Sequence, residues 1–193
     1  GVDRHAPPGS PARRLEISRQ SVRAVLRAGL AETEVDQTFF NPGDRPVEGW
    51  YWFEVPAGAS VTGFAVETNG VLVEGEFIER RRAAARYEHA VQTGHAPAIL
   101  EWIDDTTFRA RIFPVPPAGT RRVVLRYLEL LPYHQGTLRY LYPLRGDEPV
   151  RIGEFALTVD LGPAGQDMQI TTLADARVEA GGQRVTMRRS GYV

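Results

Sequence analysis

With 193 residues the chain is long enough for one generous core, or for one domain and a fragment. Its 23 basic and 24 acidic residues nearly balance, so no net field points to a nucleic-acid partner or an anionic membrane surface. Every basic residue is Arg, which excludes lysine-based covalent chemistry, and the lack of Cys excludes disulfides, thiol catalysis and thiolate metal sites.

In chain order, residues 1–13 carry the run Pro7-Pro8-Gly9-Ser10-Pro11 and no apolar period, which reads as linker. From Leu15 the period becomes two. Val22, Ala24 and Leu26 alternate with Arg23 and Arg27. Gly29 breaks the run, and Ala31, Thr33, Val35, Gln37 and Phe39 then alternate with Glu32, Glu34, Asp36 and Thr38. This pattern predicts a half-buried antiparallel pair, acidic on the wet side of its second strand. Asn41-Pro42-Gly43-Asp44 is a turn, and Val47 to Val55 is the next strand, with Tyr51, Phe53 and Val55 on one face and Trp50 and Trp52 on the other. Asn69-Gly70, between Ser60–Thr68 and Val71–Ile78, is the strongest hairpin signal, because a type I′ turn needs positive φ at both central residues.

One long segment reads as helix, from Glu79 to Thr93. Ala83, Tyr87, Ala90 and Val91 recur at i, i+4, i+7, i+8, and Gly94 and Pro97 supply the stop. Beyond it, Ala98–Ile103 and Thr107–Phe113 form a candidate pair around Asp104-Asp105-Thr106. Arg121–Leu131 is apolar on both faces apart from Arg126 and Glu129, as a central covered strand is. Thr137–Pro143 completes this set. Phe155, Leu157, Val159 and Leu161 then alternate cleanly, followed by weaker strand candidates at Met168–Thr172, Arg177–Glu179 and Arg184–Arg188. The apolar face of Phe155 to Leu161 needs cover, which the body would supply by strand addition or by packing against it as a small second sheet. The fold class is mainly β: an antiparallel β-sandwich with one α-helix packed on it and a C-terminal β-rich extension.

The order of these blocks resembles a known family. Ala31-x-Thr33-x-Val35-x-Gln37-x-Phe39-x-Asn41-Pro42 comes first, then Tyr51-x-Phe53-x-Val55-Pro56-x-Gly58-Ala59. Gly75-Glu76-x-Ile78-Glu79-Arg80 follows, with Ala83, Tyr87, Gly94 and Leu100-Glu101 behind it. The last block is Pro117-x-Gly119-x-x-x-Val123-x-Leu125-x-Tyr127-x-Glu129-x-Leu131. Together they are similar to the VIT domain, the vault protein inter-alpha-trypsin domain, over about Leu15 to Leu144. The resemblance implies a VIT domain over 14–146 and an extension over 147–193 that leads toward a further domain. It implies a non-catalytic module for protein–protein or domain–domain contacts, as in inter-alpha-trypsin inhibitor heavy chains and in bacterial proteins that pair it with a von Willebrand factor type A domain. A protein partner or an adjacent domain, with an A-type domain beyond Val193 as the implied neighbour, is the expected company. The Asp-x-Ser-x-Ser run of the A-type metal site is absent from the chain, so its chemistry does not carry over.

Neither a metal nor a cofactor is expected. His89 and His95 lie six apart across a helix end, which is not the spacing of a zinc-binding helix. Asp104-Asp105 reads as turn chemistry rather than paired catalytic carboxylates. No phosphate loop, nucleophile elbow or nucleophile with a base is legible, so no enzyme is expected. The candidate interface residues are Trp50, Trp52, Arg80, Arg81 and Arg82. Trp is enriched among interface anchors, whereas the three arginines also read as a solvated face. No apolar run approaches the ~20 residues of a membrane span. The competing function is a carbohydrate-binding β-sandwich, with the exposed tryptophans stacking sugars beside Glu32, Glu34 and Asp36.

Overall fold

The computed structural model describes residues 15–79, 99–143, 151–172 and 175–192. The helix expected over Glu79–Thr93 lies outside the described residues, except that Glu79 ends a strand. Among the described residues the regular structure is β, with two 3₁₀ turns at Pro163–Asp167 and Ala180–Gly182.

The first two strands follow directly from the alternation. β1 (Glu16–Arg27) and β2 (Leu30–Phe40) pair antiparallel around Ala28-Gly29, both at positive φ. Ala31, Thr33, Val35, Gln37 and Phe39 are all buried, so the period-two reading holds through the whole of β2. Asn41 is 1% exposed, and its side chain closes the turn behind β2. Its Nδ2 donates to the Arg45 and Val115 carbonyls at 2.8 and 3.1 Å, while Oδ1 accepts from the Gly43 N–H at 2.9 Å.

β3 (Val47–Glu54) is followed by β4 (Ser60–Thr68) and β5 (Val71–Glu74). The Asn69-Gly70 hairpin has φ of 52° and 79°, as a type I′ turn requires. The strand expected to run unbroken to Ile78 instead divides at Gly75. There the chain leaves one sheet and enters the other as β6 (Glu76–Glu79). β7 (Ile99–Trp102) and β8 (Thr107–Val115) flank the Asp104 turn. Pro114 is accommodated in β8 because the pairing with β3 is irregular there, between Val47 and Gly49.

β9 (Thr120–Leu130) is central, hydrogen-bonded to β2 on one side and β4 on the other. Val123, Val124, Leu125 and Tyr127 are buried, on both faces as expected, but Leu130 at its end is 79% exposed. The strand expected over Thr137–Pro143 is a correction. β10 (Tyr133–His134) and β11 (Thr137–Leu138) form only a two-residue exposed hairpin, and residues beyond it cross the sheet as a strap.

β12 (Ile152–Asp160) lies beside β1, and β14 (Arg184–Tyr192) lies beside β12, with β13 (Arg177–Glu179) at the edge. The β1–β12 pairing is parallel, as is β6–β7, so the sheets are mixed rather than antiparallel throughout. Met168–Thr172 is not a strand. Pro163 and Gly162 set a 3₁₀ turn just before it, and Met168 is about half exposed.

An eight-stranded sheet, β13-β14-β12-β1-β2-β9-β4-β5, thus faces a four-stranded one, β3-β8-β7-β6. Their inward rows form one core from Val22, Val35, Phe39, Phe64 and Leu125 of the larger sheet and Tyr51, Leu100 and Ala110 of the smaller. Phe39 meets Tyr51 edge-on at 5.4 Å across this gap, and Phe53 stacks on Phe108 at 5.3 Å. A second cluster, Ala24, Val159 and Val185, is covered by Leu26, Leu157, Leu161, Ile170, Ala176 and, from the strap, Tyr140.

Candidate functional site

The two outer faces of this sandwich differ in chemistry. On the larger sheet the outward row of β2 is acidic, and Arg122 and Arg126 stand in the outward row of the neighbouring β9. The Asp36 carboxylate accepts from Arg122 Nε and Nη2 at 2.9 and 2.8 Å. Arg126 reaches Glu34 at 2.9 Å on one side and Glu74 at 3.0 Å on the other, lying over Gly63, where any Cβ would stand 3.1 Å from Nη1. Hydrogen bonds to these carboxylates raise both guanidinium values, although a group already ionised at every ordinary pH changes nothing in its charge state. This is a solvated lattice of alternating charge.

The outer face of the smaller sheet carries aromatic surface instead. Tyr51 and Val55 are buried in the core, so Trp52 between them points outward, 41% exposed. The register sets Trp52 of β3 opposite Arg109 of β8, and Arg109 opposite Glu101 of β7. Arg109 lies over the indole with its guanidinium carbon 5.2 Å from the ring centroid, within cation–π range. Its Nε donates to the Glu101 carboxylate at 3.0 Å, and Nη2 donates to the same oxygen. Those two side chains are only 21% and 11% exposed. A partly buried ion pair on the middle strands therefore fixes a cation against the tryptophan on the edge strand.

Trp50, the other tryptophan expected at an interface, occupies the β3 position opposite Arg111. Arg80, Arg81 and Arg82 lie outside the described residues, as do His89 and His95. Glu32, Glu34 and Asp36 do not join Trp52, because they belong to the outer face of the other sheet. Trp102 is 54% exposed but sits on the inward row of β7, opposite Phe108, with Nε1 donating to the Asp104 carbonyl.

Asp104 behaves as a turn residue. Its Oδ1 accepts from the N–H groups of Thr106 and Thr107 at 3.1 and 2.9 Å, and the Thr106 bond leads in holding its carboxyl below the usual 3.8. Among the described residues no group of three or more His, Cys, Asp or Glu is placed to hold a metal ion.

Sequence reasoning does not single out the Trp52–Arg109–Glu101 row, although a signal for it exists. A turn centred on Asp104-Asp105 that pairs Trp102 with Phe108 must also pair Glu101 with Arg109. A second polar set, inside the core, escapes it as well. Tyr51 donates to Gln37 Oε1, Gln37 Nε2 to Gln20 Oε1 at 2.8 Å, and Gln20 Nε2 to the Tyr142 hydroxyl at 2.8 Å. Nearby, Thr33 Oγ1 and the Tyr140 hydroxyl are 3.1 Å apart. Burial raises all the tyrosine values here: Tyr127 is pushed up to about 12, and Tyr51, Tyr140 and Tyr142 are also pushed well above the ordinary 10.0.

Comparison with known proteins agrees with this architecture. The sequence profile of the "Vault protein inter-alpha-trypsin domain" matches residues 17–127. Inter-alpha-trypsin inhibitor heavy chain H6 of Homo sapiens is 29% identical over 153 residues, 79% of this chain and 12% of that protein. The von Willebrand factor A domain-containing protein 5A of Rattus norvegicus is 30% identical over 126 residues, 64% of this chain and 15% of that protein. The chain thus spans only a small part of either relative. A crystal structure from Legionella pneumophila, named as a candidate nutrient binding protein, superposes with a TM-score of 0.54 at 13% identity. It covers 92% of this chain and 63% of that one, a likeness of fold alone. With more than half its length matched by the profile, the chain belongs to the vault protein inter-alpha-trypsin (VIT) domain family.

Proposed function

We propose that this VIT domain is a non-catalytic docking module that meets a protein partner or an adjacent domain through the outer face of its four-stranded sheet, around Trp52. The observation that carries the reading is the fixed Trp52–Arg109–Glu101 row. Its aromatic surface is large, its cation is already ordered, and little side-chain entropy remains to be lost on contact. The opposite outer face, with its paired charges, has far less to gain from losing water. Trp50 on the same strand, and Arg80 to Arg82 just after β6, belong to the proposed contact region by their place in the chain.

Relatives that carry von Willebrand factor A domains in their names support an A-type domain as one neighbour of such a module. The pairing of β12 with β1 and of β14 with β12 favours treating 147–193 as part of the same folded body rather than as a connector. Sugar stacking is less well supported, since Arg109 already occupies one side of the Trp52 ring and the acidic strand lies on the other sheet. A glycan array followed by tryptophan-fluorescence titration separates the two. Docking of protein predicts no saturable sugar response. A response that disappears in Trp52→Ala would replace this reading with carbohydrate binding.

A further inference from the structure

Glu129 is a carboxylate on the buried row of β9. It follows Tyr127 and precedes Leu131, faces Ala31 across the ladder to β2, and is 8% exposed. Its Oε1 is buried without a hydrogen-bond partner among the described residues, whereas Gln20, Gln37 and Thr33 on the same face are all bonded. A buried carboxyl oxygen left without a donor is better tolerated in the protonated group than in the ionised one. Desolvation accordingly raises the Glu129 value above the ordinary 4.5.

Among the described residues the groups around it offer no compensation. The titratable neighbours are the hydroxyls of Tyr127, on its own strand, and Tyr140, from the 132–143 strap; both are neutral at physiological pH, and both are raised further by the Glu129 charge. On β2 the facing residues are Ala31 and Thr33, and on β4 the ladder level is that of Ala59 and Ser60, none of them charged. Arg139 and His134 of the strap are exposed. Among the described residues the strap is held mainly through two tyrosines. Tyr140 bonds Thr33, Tyr142 bonds Gln20, and the Tyr142 ring lies 6.5 Å from that of Phe155, while the β10–β11 hairpin stands in solvent. Segments attached in this way open at free energies well below that of global unfolding.

We propose that Glu129 is a proton-controlled latch for the 132–143 strap. Protonated, the carboxyl sits beside Tyr140 with Oε1 shut off from water and the strap stays docked; ionised, it draws water to that oxygen and the strap lifts from β1 and β2, uncovering the Gln20 end of the core network. The sign follows from the raised value. Docking is most favourable below the ordinary glutamate range and weakens as pH rises through the docked-state value.

Hydrogen exchange across Arg139 to Tyr142, expressed as protection relative to the intrinsic rate at each pH from about 5 to 8, tests the latch. Protection should fall several-fold with rising pH in the wild type and stay flat in Glu129→Gln. Glu154→Gln, an exposed carboxylate on the outer face, should keep the wild-type slope. A wild-type profile without a slope, or a slope that survives in Glu129→Gln, would overturn the proposal. Should Glu129→Gln not fold, an NMR titration of the Glu129 carboxyl carbon in the wild type decides. A midpoint above the ordinary range that moves together with the Tyr140 signals supports the latch, and a midpoint within that range refutes it.

Discussion

Arg109 lies across the indole of Trp52, and Glu101 on the next strand holds it there. Removing one member of a well-buried pair strands the other, at about 3 to 5 kcal/mol. This pair is slightly wetter, so Glu101→Ala should lower stability by about 2 to 3 kcal/mol in urea denaturation. It should also raise the mobility of Trp52, seen as a drop in its fluorescence anisotropy. The more exposed Asp36–Arg122 pair gives the contrast: Asp36→Ala should change stability by about 1 kcal/mol or less.

The parallel join between β1 and β12 has a tight point. A Cβ at Gly153 would stand 2.6 Å from the Ser18 carbonyl oxygen, a backbone atom that cannot swing aside. Ser18 is also where β1 bulges against β2, with its Oγ donating to the Thr38 carbonyl at 3.0 Å. Gly153→Ala should therefore cost about 1 to 3 kcal/mol. It should also speed tryptic cleavage at Arg151 relative to the wild type. Unchanged cleavage would mean that β12 is not held by that contact.

Alkaline titration should show the buried tyrosines as a group. Tyr51, Tyr127, Tyr140 and Tyr142 all have values raised from 10.0 by burial, Tyr127 to about 12. A value raised in the fold contributes stability that is complete below the ordinary value and is lost as pH rises through the folded one. Absorbance at the phenolate band should therefore rise for these four only together with the loss of β circular dichroism, between about pH 10 and pH 12. Smooth ionisation near pH 10 with the fold intact would contradict the burial of this cluster.

Gly70 sits at φ +79° with open space where a Cβ would stand, so its substitution is a pure test of backbone conformation. Gly70→Ala should cost about 1 kcal/mol, and Gly70→Val, β-branched at positive φ, about twice that. Equal stability in all three would mean that the hairpin has changed turn type.

Much of this fold is legible in the sequence because local chemistry and tertiary burial agree. Alternation places Ala31 to Phe39 on one face, Asn69-Gly70 marks its hairpin, and the two-sided apolar pattern of β9 marks a central strand. Pairings between distant segments are not legible in this way. Nothing local to Phe155 or Leu157 specifies a parallel partner more than a hundred residues away, and the choice of β1 depends on which edge the rest of the sheet leaves open. Met168–Thr172 fails as a strand for the opposite reason. Its residues can form one, but the chain enters them from the 3₁₀ turn at Pro163–Asp167, and Ile170 packs on the Ala24, Val159 and Val185 cluster. At the candidate site, alternation supplies the outward direction of Trp52, whereas the clamp by Arg109 and Glu101 emerges only when three strands are in register.

The claim that the Trp52 face is the docking face is tested most directly by placing a photo-crosslinking amino acid at position 52 of the full-length protein in cells, with Thr158 on the other outer face as the comparison site. Mapping the adducts by mass spectrometry should give a defined set of residues, in another domain or another chain, joined to position 52 and not to position 158. Crosslinks at position 158 with none at position 52 would show that the module meets its partner with the charged sheet, and would contradict docking through Trp52.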